Sequence, residues 1–181
     1  MPASAPLRRA LVALLLSCAL LAGTTACGSS DDDTSASATP TSSAEAQKFA
    51  KTRFVANAGL AAGATYQWIV KPFKAGKFKK GASGQKFAMV KAGVAGLFTY
   101  NRLKAAVSNA KGDPTLAKAV APLSAGIESL KSLPSKLRNS DSAEGAAGTF
   151  EDVINSVKDA GKSAGAEITD KVPSAGQLTG S

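Results

Sequence analysis

The sequence predicts an all-α domain, a small bundle of about four helices built on an antiparallel Ala/Gly-rich helical hairpin. Three observations predict it. All strong hydrophobic periodicities lie near 3.6 residues, and no run of alternating β-branched residues occurs. Two apolar stripes recur with a shift of 34 residues, and AGLAAGATY (58–66) matches AGVAGLFTY (92–100) at five of nine positions. Finally, Pro72, Gly112 and Asp113-Pro114 stand at the ends of these periodic segments, where helix-breaking and helix-starting chemistry belongs.

The chain begins with a different kind of segment. Arg8 and Arg9 are followed by an almost unbroken apolar run, Ala10 to Gly23, and then by Thr24, Thr25, Ala26 and Cys27. A positive start, an apolar core and small residues before the boundary form a secretory signal. The core, about 14 residues, is short of the ~20 a helix needs to cross a bilayer. Leu7 stands where a twin-arginine signal carries Ser or Thr, so general secretion is favoured.

With its small residue directly before Cys27, this stretch resembles a bacterial lipoprotein precursor of the actinobacterial type. The resemblance implies diacylglycerol on the sulfur of Cys27, cleavage after residue 26 and membrane lipid as a partner through that anchor. Thr24 departs from the Leu usual three positions before the cysteine. Leu15-Leu16-Ser17-Cys18 fits those letters better but leaves a short core, so Cys27 is preferred to Cys18. The plain alternative is a secreted protein with a free thiol. Residues 27–44 follow as the lipidated cysteine and a tether; 28–44 holds no apolar residue larger than Ala and is expected to be disordered. Asp31 to Asp33 have no fixed geometry there and read as a solvated run.

Without residues 1–26 the chain has 155 residues, enough for one domain with a modest core. It has one cysteine, hence no internal disulfide, and no histidine, which removes the commonest general base and metal ligand. Its charge is uneven. Ala46 to Gly112 carries 13 Lys/Arg and no Asp/Glu, whereas Asp113 to Ser181 carries 7 against 9. Such asymmetry points to a polyanionic partner.

The body is read as a helical domain over 45–165 and a flexible tail over 166–181. Glu45 to Lys71 forms helix one, with Val55, Gly59, Ala62, Tyr66 and Ile69 on one face and a stop at Pro72. Residues 72–84 connect it to helix two, Gln85 to Lys111, whose stripe is Met89, Gly93, Gly96, Tyr100 and Leu103. Gly59, Gly93 and Gly96, with Tyr66 and Tyr100, are assigned to the contact between the two helices. An internal helical Gly costs roughly 1 kcal/mol against Ala. The glycines therefore either admit a close approach or reflect compositional bias, and the sequence leaves both open. Asp113-Pro114 caps helix three, with Leu116, Val120, Leu123, Ile127 and Leu130 inward, a kink at Pro122 and an end or restart at Pro134. Asp141 to Glu144 reads as a capped start for helix four, whose face is Phe150, Val153, Ile154 and Val157.

Lys71, Lys74, Lys77, Lys79, Lys80, Lys86 and Lys91, interleaved with Phe73, Phe78 and Phe87, form the candidate anionic-surface-binding segment. The bland alternative is a solvated loop with its phenylalanines in the core. Export makes anionic lipid head groups or a phosphate-bearing wall polymer the expected partners, and not nucleic acid. No catalytic residue, metal ligand or cofactor site is assigned: phosphate-loop spacing is missing, and Glu151, Asp152 and Asp159 lie opposite an apolar helix face. The expected function is a non-enzymatic, lipid-anchored binding or scaffolding module outside the plasma membrane. The alternative is a membrane-active hairpin that inserts Phe54 to Val70, which carries no charge.

Overall fold

The computed structural model describes residues 43–179. The predicted signal, Cys18, Cys27 and the tether through residue 42 lie outside them. The described chain is all-α: α1 (Ser43–Thr65), a π-helical turn (Tyr66–Val70), α2 (Lys71–Lys74), α3 (Gln85–Ala110), α4 (Pro114–Val120), α5 (Ser124–Ser129), α6 (Leu133–Lys136), α7 (Ala143–Ser163) and α8 (Ala175–Thr179). No strand occurs among the described residues. α1 and α3 pack along their lengths as the central hairpin, and α7 closes the core against α1 and α4.

α1 starts two residues earlier than the sequence predicts and passes Pro72 instead of stopping there. Pro72 has no N–H to give to the Trp68 carbonyl, and its ring crowds that oxygen in an α-helix. The π turn re-registers the backbone: the Lys71 N–H bonds to Tyr66 O, five residues back. The helix then runs one more turn and ends in a Schellman motif. Lys77 N donates to Pro72 O (3.0 Å), Gly76 N donates to Phe73 O (2.8 Å), and Gly76 takes φ +69°.

The hairpin seam differs in phase from the predicted stripes. Phe54, Ala58, Ala61, Ala62 and Thr65 of α1 are buried, as are Met89, Ala92, Ala95, Thr99 and Leu103 of α3. At its centre the Thr65 hydroxyl lies 3.1 Å from the Thr99 hydroxyl, which itself donates to Ala61 O at 3.4 Å. These are the equivalent threonines of the two matching nonapeptides. Tyr66, placed by the sequence at the helix contact, is 54 % exposed; it opens the π turn, where the stripe changes phase and Ile69 and Val70 turn inward.

The glycines do mark close approaches, but to third elements and not across the hairpin. A Cβ on Gly59 would lie 2.6 Å from Thr169 O, and one on Gly63 would collide with the backbone of Lys171. Gly93 faces the Arg138 side chain and Pro134 O, and Gly96 faces Leu137 and Phe150. Tyr100 is buried, with its hydroxyl directed to Glu128 on α5.

Asp113 caps α4 as the sequence predicts, accepting from Thr115 N and Leu116 N at 2.9 Å each. Pro122 sits in a 3₁₀ turn (Ala121–Leu123), and a second such turn (Leu130–Ser132) precedes α6, where Pro134 restarts the helix. Tightening toward three residues per turn brings Ile127, Leu130 and Leu133 inward together. The predicted side-chain cap over Asp141 to Glu144 is not made. Ser142 holds the cap position in a helical conformation, and its hydroxyl donates to Lys136 O instead. Phe150, Ile154 and Val157 of α7 are buried, with Val153 at the edge.

The tail expected to be flexible from residue 166 is packed. α7 closes in a turn at Ala164 and Gly165 (φ +66°), and beyond it Ala166 and Ile168 are buried in alternation with exposed Glu167 and Thr169, so this segment lays one face on the bundle. We call residues 166–173 the strap. It crosses α1 over bare backbone at Gly59 and Gly63, where Lys171 N donates to Gly59 O at 2.9 Å. Lys158 holds Asp170 at 2.7 Å, and α8 beyond the strap packs on α3.

Candidate anion-binding surface

The lysine segment is built around two rings. Phe78 is buried and its ring centroid lies 6.3 Å from that of half-buried Phe73. Successive turns carry the chain from Gly76 to Gln85, through Lys79 N→Gly76 O, Ala82 N→Lys79 O and Gln85 N→Ala82 O. The Gln85 amide closes the loop by donating to Phe78 O at 3.0 Å. With the rings inward, Lys77, Lys79 and Lys80 are turned to solvent, as are Lys71 before the loop and Lys86 after it. The two-way choice left by the sequence is thus divided by residue: Phe78 belongs to the core, whereas Phe87 is 66 % exposed.

The seven lysines are not equivalent. Lys74 is neutralised by Glu151, with Nζ 2.7 Å from Oε1. Lys91 is held between two aromatic rings, its Nζ 4.4 Å from the centroid of Trp68 and 4.7 Å from that of Phe87. Among the described residues, Lys71, Lys77, Lys79, Lys80 and Lys86 have no carboxylate within 4.0 Å. They form a cap of unbalanced positive charge at the turn of the hairpin.

Between this cap and the α3 surface lies an open, mainly apolar groove of ≈ 430 Å³, lined by Trp68, Lys71, Pro72, Lys77, Phe87 and Lys91 among others. The Trp68 Nε1 is buried without a hydrogen-bond partner among the described residues. Trp68 lies within the π turn, which sets its place in this groove. The groove can take an apolar or aromatic group beside an anion, because its cations stand on its rim and Lys91 on its wall.

A second constellation ties α3 to α5. The Tyr100 hydroxyl donates to Glu128 Oε2 at 2.9 Å, and Lys104 Nζ lies 3.4 Å from Oε1. The Tyr100 hydroxyl, together with Lys104, holds the Glu128 carboxyl below its ordinary range. Tyr100 first, and then Glu128, raise Lys104. All three are satisfied by one another, so the cluster fastens helices. Of the carboxylates on α7, Glu151 is taken by Lys74, while Asp152 and Asp159 face solvent. Among the described residues no group of three His, Cys, Asp or Glu is placed to hold a metal ion.

Among the described residues no helix is long and apolar enough to cross a membrane. The segment considered for insertion, Phe54 to Val70, spends its large side chains Phe54, Ile69 and Val70 in the core. No protein-family model, no curated protein and no solved structure matches the chain.

Proposed function

We propose that the chain is a lipid-anchored protein of the extracytoplasmic face of a bacterial plasma membrane, and that its helical body is a non-enzymatic module that docks on an anionic surface. The observation that carries the docking is the cap of five lysines that have no carboxylate partner among the described residues, at the turn of a stretch, Ala46 to Gly112, that holds no Asp or Glu. The anchor rests on the signal segment and Cys27. Two acyl chains hold a protein firmly without help from lysines, so the cap serves to choose what the body touches. Anionic head groups and a phosphate-bearing wall polymer are the polyanions of that compartment. Burial of Phe54, Ile69 and Val70 in the bundle favours surface docking over insertion.

Two measurements test this. Cys27→Ser should release the protein from membranes, and the intact mass of the membrane form should show an acylated Cys27; an unmodified cysteine there refutes the anchor. The soluble mature chain should bind anionic vesicles or wall polymer at low salt and release as salt rises, since exposed charges are screened over about 8–10 Å. Replacing Lys71, Lys77, Lys79 and Lys80 with Gln should abolish that binding. Lys74 is kept because it holds Glu151. Indifference of the parent chain to both polyanions at low salt refutes the docking.

A further inference from the structure

α3 carries more than the lysines of its first turns. Phe87, Val90 and Leu97 are 66, 53 and 51 % exposed, and half-buried Val94 stands between the last two. Their spacing of three, four and three residues puts all four on one face. The row extends from Phe87 to Leu97, about 15 Å of helix, and covers roughly 80° of its circumference. Lys86 falls just past one edge of that arc, as does Lys104, which is paired with Glu128, and Lys91 and Arg102 fall just past the other. α3 contains no acidic residue at all. A bare apolar stripe with cations along both borders is the pattern of a helix lying in the head-group region of an anionic bilayer.

The length of the hairpin bears on the same point. The chain enters the body at Ser43, and Lys71 lies 28 residues further along α1 and its π turn, about 40 Å away at an α-helical rise. A body docked by the lysine cap alone would stand on its end, whereas one docked by the cap and α3 together lies along the surface. The apolar row is on its long side, where that posture places it, and not on its end. A polymer gripped by the cap alone would have no use for Leu97, about 15 Å from Phe87.

We propose that the outer face of α3, centred on Phe87, Val90, Val94 and Leu97, docks flat on an anionic phospholipid bilayer. The apolar row enters the head-group boundary, and Lys86, Lys91 and the cap lysines meet lipid phosphates. This rests on the reading that the cap binds a polyanion, and it commits that reading to lipid.

The experiment uses the mature chain with Cys27→Ser, which then contains no other cysteine. Binding to phosphatidylglycerol vesicles is compared with binding to phosphatidylcholine vesicles and to an isolated phosphate-bearing wall polymer. Leu97→Glu should weaken binding to phosphatidylglycerol about tenfold or more, because a buried Leu is lost and a repelled charge is gained. Leu97 is exposed, so the helical signal and melting point should stay those of the parent. An environment-sensitive fluorophore on Leu97→Cys should shift to the blue on phosphatidylglycerol, and one on Asp152→Cys of α7 should not. If Leu97→Glu binds like the parent while the lysine variant does not, flat docking is overturned and the cationic reading stands. Binding to the polymer but not to phosphatidylglycerol overturns it in the same way. If both variants bind like the parent, both readings fall.

Discussion

The strap on α1 rests on glycine, and replacing Gly63 with Ala tests that directly. In a helix interior the exchange by itself gains roughly 1 kcal/mol in propensity. At Gly63, however, the new Cβ overlaps the carbonyl of Lys171 and comes within 2.7 Å of Val172 N. These are backbone atoms, so no flexible side chain can swing aside and the strap must lift. Overpacking of this kind costs about 1–3 kcal/mol. Lifting also strains the bond from Lys171 N to Gly59 O, for which about 1 kcal/mol is typical. The net expectation is destabilisation by roughly 1–3 kcal/mol. Gly148 is the control: it lies inside α7, and a Cβ there meets nothing within 4 Å. Gly148→Ala should stabilise by about 0.5–1 kcal/mol. At about 2–4 °C per kcal/mol the two melting points fall on opposite sides of the parent. Thermal melts followed by circular dichroism give the signs, and amide exchange at Lys171 locates the damage. A Gly63→Ala protein that melts above the parent refutes the packed strap. So does one that melts lower with Lys171 protected as before.

Three further outcomes follow from named contacts. Thr99→Val removes the link between the Thr65 hydroxyl and Ala61 O and should cost about 1–3 kcal/mol; with Thr65→Val added, the loss should be well below the sum of the single losses, and additivity in denaturant melts would sink the pairing. Asp113→Ala takes an acceptor from one buried and one part-buried amide and should cost about 1–2 kcal/mol, while Asp113→Asn should retain most of the cap; equal melting points for the two replacements would contradict it. Tyr100→Phe should let the Glu128 carboxyl titrate closer to its ordinary range, as followed by NMR. A carboxyl lowered in the folded state stabilises above its unfolded pKa and loses that contribution as pH falls through the folded value. The variant should therefore show a shallower loss of stability on the acid side, and an unmoved Glu128 titration would count against the assignment.

How much of this was legible in the chain depends on side-chain size. α7 was read correctly because Phe150, Ile154 and Val157 are large and stand opposite charged residues, which fixes the phase of a stripe. Asp113-Pro114 was legible because an N-cap is a local device, complete within four residues. α1 and α3 were found as helices but turned the wrong way in part. Their buried faces are mostly Ala, Gly and Thr, so contrast between faces is small, and the shift at the π turn carries Tyr66 outward. The sequence left the glycines open between close approach and compositional bias, and bare helical backbone accepts an extended segment as readily as a second helix. Nothing near Gly59 in sequence announces Lys171, 112 positions on. The strap had a faint signal of its own, Ala166 and Ile168 at period two, too short and too small to outweigh its polar neighbours. Charge behaved in the same way. The excess of lysine was countable, but Lys74 is cancelled by Glu151 from another helix, and the bare row on α3 becomes meaningful only once the bundle has covered the other faces. In a chain this rich in Ala and Gly, local chemistry declares the elements, and the surfaces left over after packing declare what they are for.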